Sequence, residues 1–146
     1  MLTQASDHLF KKIARRASEV FIYQLDSQAS DAVHEACADF IMHSFQSMTP
    51  IFRMGMRAAV WYLNISTVVR FGLLFMNCPR EQCDIVLKRW SESVFGPKRD
   101  VVRFFLNFTV IAFYDMPEVL KKEGVDLDMY TRMQKMYNGV PKEIGI

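Results

Sequence analysis

The chain has 146 residues, one domain's worth and enough to bury a single continuous core. Hydrophobic residues make up 51%, with 12 Phe and 10 Met, which is more apolar surface than a small globule readily hides. The formal charge of +2 argues against a nucleic-acid binder, and three cysteines (Cys37, Cys78, Cys83) without Cys-x-x-Cys spacing argue against a disulfide scaffold or a zinc site and fit reduced thiols in a cytoplasm.

Ser6 or Asp7 is positioned to cap a first helix running to about Leu25, with Phe10, Ile13, Ala17, Val20 and Phe21 on one face. Lys11, Lys12, Arg15 and Arg16 fall on the other, a face read as solvated. The alternation of charge and apolar residues here is not the uninterrupted apolar core of a secretory signal, and Ser18-Glu19 after Arg15-Arg16 does not continue a twin-arginine signal. After the polar connection Asp26–Ser30, Ser30 or Asp31 caps a second helix striped by Val33, Cys37, Phe40, Ile41, Phe45 and Met48.

Thr49-Pro50 is a helix-start pair, Thr as acceptor for an orphan amide and Pro with no amide to waste. From Ile51 to about Asn77 the chain is apolar, with Gly55 and Gly72 as kink points, and Arg53, Arg57, Asn64 and Thr67 share a narrow angular sector. That pattern reads as one polar edge on an otherwise buried core or interface helix, because Asn64 and Arg70 would together cost a lone spanning helix several kcal/mol. Pro79 starts the next helix, with Cys83, Val86, Leu87, Trp90 and Val94 as its stripe. Gly96-Pro97 ends it and opens a helix, Val101 to Tyr114, that is apolar on nearly every face and too short to cross a bilayer, so protein is expected to surround it. Within it Arg103 must snorkel outward or pair with Asp100, Asp84, Glu92 or Asp115. Glu118 to Glu123 forms a short turn of helix closed by Gly124.

The fold expected is all-α: a single-domain bundle of about five helices over 1–125 and an extended apolar C-terminal tail, 126–146, packing on the domain or on a partner. No strand alternation and no internal repeat appears. Asp31, His34, Glu35, Asp39 and His43 share faces of the second helix, but a bundle di-iron site needs Glu-x-x-His pairs that this chain lacks, so a solvated face is expected. Nucleophile elbows and Gly-rich phosphate loops are absent, and Cys37 and Cys83 on apolar faces read as small hydrophobes. No catalytic, cofactor-binding or metal-binding residue is therefore assigned, and the chain is read as non-catalytic.

The pattern Arg80…Leu87-x-x-Trp90-x-x-Ser93, then Arg103 in an apolar helix, then Phe113-Tyr114-Asp115-Met116-Pro117-Glu118-Val119 and Gly124, resembles the small helical subunits of the gluconate 2-dehydrogenase subunit 3 type. It is also similar to the helical N-terminal region fused to long-chain alcohol oxidases of the glucose–methanol–choline flavoprotein family. The match covers roughly half the chain as spaced single residues. It implies an accessory subunit in a hetero-oligomer with a flavoprotein large subunit, FAD residing in that partner, acting on an alcohol or sterol-like substrate. The residues expected to touch the partner are Trp90, Arg103, Tyr114, Asp115, Met116, Pro117, Glu118, Tyr130, Met133 and Tyr137. Two other expectations stay open: a cytoplasmic protein held peripherally on a membrane through Ile51 to Met76, or a helical carrier of a hydrophobic ligand in a Phe/Met-lined pocket.

Overall fold

The computed structural model describes residues 2–122 and Asp128; the expected tail contacts Tyr130, Met133 and Tyr137 lie outside the described residues. The described residues form six α-helices and one 3-10 turn, the sixth being the short turn of helix expected after Pro117: α1 (Leu2–Leu25), α2 (Asp31–Gln46), α3 (Pro50–Phe71), the 3-10 turn (Phe75–Asn77), α4 (Arg80–Ser91), α5 (Gly96–Tyr114) and α6 (Pro117–Lys122). The chain divides into two compact units, Met1–Phe113 and Tyr114–Ile146, the second beginning ahead of the boundary expected after residue 125.

Local chemistry sets most helix ends. Ser30 takes the extended backbone of an N-cap and Asp31 puts a carboxylate in the first turn of α2, where the helix dipole favours it. Thr49 likewise is extended and Pro50 begins α3, but the Thr49 side chain makes no capping bond; its carbonyl instead accepts the Arg53 N–H at 3.0 Å. Gly72 ends α3 in the left-handed region (φ +72°) with its N–H on the Val68 carbonyl at 2.9 Å, a conformation glycine adopts without the Cβ penalty. The expected kink at Gly55 does not occur, since α3 runs unbroken through it. The first helix begins earlier than the caps at Ser6 and Asp7 suggest.

In the first unit α1 packs against α2, α3, α4 and the 3-10 turn. Its stripe Phe10, Ile13, Ala17, Val20 and Phe21 is buried as expected, and meets Ile41 and Phe45 of α2, Val60 and Leu63 of α3, Val86 and Leu87 of α4, and Val101, Val102, Phe104 and Phe105 of α5 in one core. Phe10 is its hub, stacked on Phe45 at 4.0 Å and meeting Phe105 and Phe104 at 6.0 and 6.5 Å. Such ring pairs add roughly 0.5–1.5 kcal/mol each beyond the area they bury.

On the basic face of α1 Lys12 is exposed, but Lys11 and Arg15 are paired with α2 and only partly solvated. Lys11 lies 2.6 Å from Glu35 and 2.7 Å from Asp39, while Arg15 lies 2.8 Å from Glu35 and 3.8 Å from Asp31. Each four-residue step up α1 thus meets a four-residue step back along α2, the arrangement of two antiparallel helices. The two carboxylates, Asp39 before Glu35, hold the Lys11 ammonium above its ordinary range. The acidic face that the sequence offers as ligands or as solvated charge is the counterpart of α1. Among the described residues no group of three His, Cys, Asp or Glu could hold a metal ion.

The described helices cover α5 only in part: Val101, Val102, Phe104, Phe105, Thr109, Ala112 and Phe113 are buried, while Arg103, Leu106, Asn107, Ile111 and Tyr114 are exposed. One expectation is corrected. Val94, assigned to the stripe of α4, lies beyond that helix and is 96% exposed, because α4 stops at Ser91. No helix of the described residues is long and apolar enough to cross a membrane.

Candidate functional site

The third helix faces the opposite way from an ordinary amphipathic one. An amphipathic helix normally turns its apolar side to the core. Here the residues buried on α3 are Val60, Leu63, Asn64 and Thr67, so the polar sector points inward. The exposed side carries Ile51 (72%), Met54, Trp61 (59%), Tyr62, Val68 and Val69 (90%), which recur at helical spacing and form one apolar stripe, with Phe52 exposed beside it.

Each inward polar group has work inside the unit. Asn64 Oδ1 accepts the Met76 N–H at 3.2 Å, and the Thr67 hydroxyl lies 2.8 Å from the Leu73 carbonyl and 2.9 Å from that of Asn64. These bonds tie the segment after α3 back onto the helix. The Met76 carbonyl accepts from Arg16 at 3.4 Å, so α1 holds the same segment from the other side. Arg57 reaches Asp7 of α1 at 2.6 Å and lies over the Phe45 ring of α2 at 5.4 Å. A buried polar group costs free energy unless it is bonded, and these partners offset that cost. The apolar stripe is therefore turned out by the placement of the polar one.

Two hollows flank the stripe. One, about 250 Å³, lies between α1 and α3 and is lined by Leu9, Phe10, Ile13, Arg57, Val60 and Trp61. It falls below the roughly 300 Å³ at which ligand pockets begin. The second, about 520 Å³, is an open cleft bounded by Val69 and Arg70 of α3, Arg89 and Trp90 of α4, Val94, and Lys98 of α5. The Lys98 ammonium sits 5.3 Å from the Trp90 ring and 5.4 Å from the Tyr62 ring, which are themselves 5.6 Å apart.

Of the residues expected to contact a partner, Trp90 is a core residue, 4% exposed, packed on Tyr62 with its edge on the cleft. Arg103 snorkels: it is exposed on α5 and, among the described residues of the first unit, makes no ion pair with Asp84, Glu92 or Asp100. The structure does not bring these two together at one site. In the second unit Tyr114, Asp115, Pro117 and Glu118 are exposed and Met116 is half-buried where α6 begins. The sequence marks α3 as a core or interface helix without fixing which side faces out, and the signal that bears on this is the acceptor and donor demand of Asn64, Thr67 and Arg57, each of which needs a fixed partner if the sector is inside.

The thiols are inert core groups. Cys37, Cys78 and Cys83 are buried, and loss of solvent pushes Cys37 up to about 11 and Cys83 up to about 12. In comparisons with known proteins, no family model, curated sequence or solved structure matches the chain.

Proposed function

We propose that this chain is a non-catalytic helical accessory subunit that docks on a larger protein through the outward stripe of α3. The supporting observation is the stripe itself: a helix that keeps its polar sector inside and presents Ile51, Met54, Trp61, Tyr62, Val68 and Val69 to the outside. Contiguous exposed apolar surface on a small protein marks an interaction site, and Trp and Tyr are the residues that most often anchor one. The resemblance of residues 79–125 to small helical dehydrogenase subunits names the partner: a flavoprotein acting on an alcohol or sterol-like substrate, with FAD held entirely by that partner. In this reading Tyr114, Asp115, Met116, Pro117 and Glu118 make a contact of their own from the second unit.

Affinity purification of the full chain from its native cells tests it. The expected result is a stoichiometric partner with flavin absorbance, lost from an Ile51→Glu/Trp61→Glu variant that keeps its helical circular dichroism. Recovery of a lone monomer without flavin would overturn the assignment. A second reading has its own support, since Trp61 and Tyr62 lie on an apolar helix face with Arg53 and Arg70 near its two ends, the composition of an interfacial helix. Salt-sensitive sedimentation with lipid vesicles, in place of a soluble complex, would favour that reading.

A further inference from the structure

Of the thirteen cations of the first unit, seven (Lys12, Arg53, Arg70, Arg89, Lys98, Arg99 and Arg103) have no carboxylate within ion-pair distance among the described residues, and three of these share one cleft. Lys11, Arg15, Arg16, Arg57, Arg80 and Lys88 each have a carboxylate within ion-pair distance. Arg70, Arg89 and Lys98 have none among the described residues, and all three line the 520 Å³ cleft, with Glu92 as the only carboxylate beside them among its lining residues. They come from three helices: the last turn of α3, the last turn of α4 and the first turn of α5. Lys98 is steadied over Trp90 and Tyr62, and Arg70 lies over the Phe71 ring at 5.5 Å. The lips are apolar, since Val69 and Val94 are almost fully exposed.

We propose that this cleft binds an acidic segment of a protein partner, one that places an aliphatic or aromatic side chain between its carboxylates. The inference rests on the accessory-subunit reading and names the chemistry of the partner's docking segment. Charge complementarity carries it: three cations without carboxylate partners among the described residues line one open cleft of mixed polarity with apolar lips, so an occupant with spaced carboxylates meets them while its apolar side chain covers Val69, Val94 and the edge of Trp90. A bilayer is a poorer occupant, because a lipid surface cannot follow a recess whose floor is the buried Trp90. A small anion would leave the apolar lips uncovered.

Selection of random-sequence peptides displayed on phage against the full chain tests the proposal. The expected result is enrichment of Asp and Glu interspersed with Leu, Phe or Met. A synthetic peptide of the selected sequence, read by fluorescence anisotropy, should bind with an affinity that falls as salt rises and that drops by about tenfold or more in R70E/R89E/K98E. Circular dichroism verifies the fold of that variant, and R70Q/R89Q/K98Q replaces it if the reversal does not fold. Selected peptides without acidic enrichment, or equal binding by the variants, would overturn the proposal. So would sedimentation with phosphatidylglycerol vesicles that the triple variant abolishes while no peptide is selected. The Ile51→Glu/Trp61→Glu experiment reads the α3 contact separately: partner recovery lost there, with peptide binding intact, supports both proposals, whereas a flavin-free monomer that still selects acidic peptides overturns the accessory-subunit reading and leaves the cleft's preference for acidic segments supported.

Discussion

Substitutions on the two sides of α3 separate its observed orientation from the one its hydropathy suggests. Asn64→Leu keeps roughly the same volume but removes the acceptor of the Met76 N–H in a place where Asn64 is 3% exposed, so no water replaces it. An unpaired buried donor costs about 1–3 kcal/mol. Thr67→Val is nearly isosteric and strips the Leu73 carbonyl of its 2.8 Å hydroxyl donor, leaving the Cys78 thiol at 3.7 Å, for about 1 kcal/mol. Both changes loosen the same segment, so the double variant should lose less than the two costs combined. Val69→Ser, on the outward side, should change stability by no more than about 0.5 kcal/mol. A helix with its apolar faces buried would give the reverse, Val69→Ser costing about 2 kcal/mol and Asn64→Leu costing nothing or stabilising. Urea denaturation followed by circular dichroism, with midpoints compared at unchanged m, measures all four. Asn64→Leu as stable as the parent, together with a loss above about 1.5 kcal/mol in Val69→Ser, would refute the orientation and the docking surface built on it.

Glu35→Lys sets like charge against Lys11 and Arg15 and should cost about 1–2 kcal/mol at low salt, shrinking as salt is added; a salt-independent loss would mean packing and not charge is at stake. Gly72→Ala should cost about 1 kcal/mol from the left-handed backbone alone, since a Cβ there meets nothing within 4 Å, while Gly55→Ala in the helix interior should stabilise by about 0.5–1 kcal/mol; thermal midpoints moving in the same direction would contradict this. Unfolded thiols ionise near 9.0, whereas folded Cys37 and Cys83 hold their protons to about 11 and about 12. As pH rises above 9 the unfolded chain therefore sheds protons that the folded chain keeps, and stability falls by up to about 1.4 kcal/mol per pH unit for each thiol. The Lys11 contribution also falls as pH rises, beginning at the ordinary value of 10.5, where the unfolded chain sheds the proton, and gone once the raised folded value is passed. Denaturation midpoints across the alkaline range should flatten in Cys83→Ala relative to its own neutral-pH value.

The helix ends were readable where a residue's own backbone preference decides them, at Ser30-Asp31, Thr49-Pro50 and Pro79, whereas Gly72, expected as a kink, ends α3; the stripes of α1, α2 and α4, whose polar and apolar sides are well separated, were readable too. What could not be read from one segment is which of two sides faces inward when both are tolerable. In α3 the apolar side is the wider, and only the positions of Asp7, Leu73 and Met76, contributed by other segments, make the polar sector the inner one. The same holds for Lys11 and Arg15, whose partners lie on another helix. Val94 was misplaced because an apolar residue one turn past a stripe looks like its continuation until the helix stops. Trp90 carried two expectations, core anchor and contact residue, and its burial selects the first while leaving an edge on the cleft.

The ladder between α1 and α2 has a built-in ambiguity. Its charges recur every four residues on both helices, so a slide of α1 by one helical turn would again bring Lys11 and Arg15 opposite carboxylates. Electrostatics can therefore enforce that the two helices run in opposite directions, but it cannot count turns. Counting falls to the Phe10 ring on Phe45 and to Arg57, which grips Asp7 while covering the same Phe45. Alignment of the hairpin thus rests on one ring contact of its own and on a clasp that α3 lays across it.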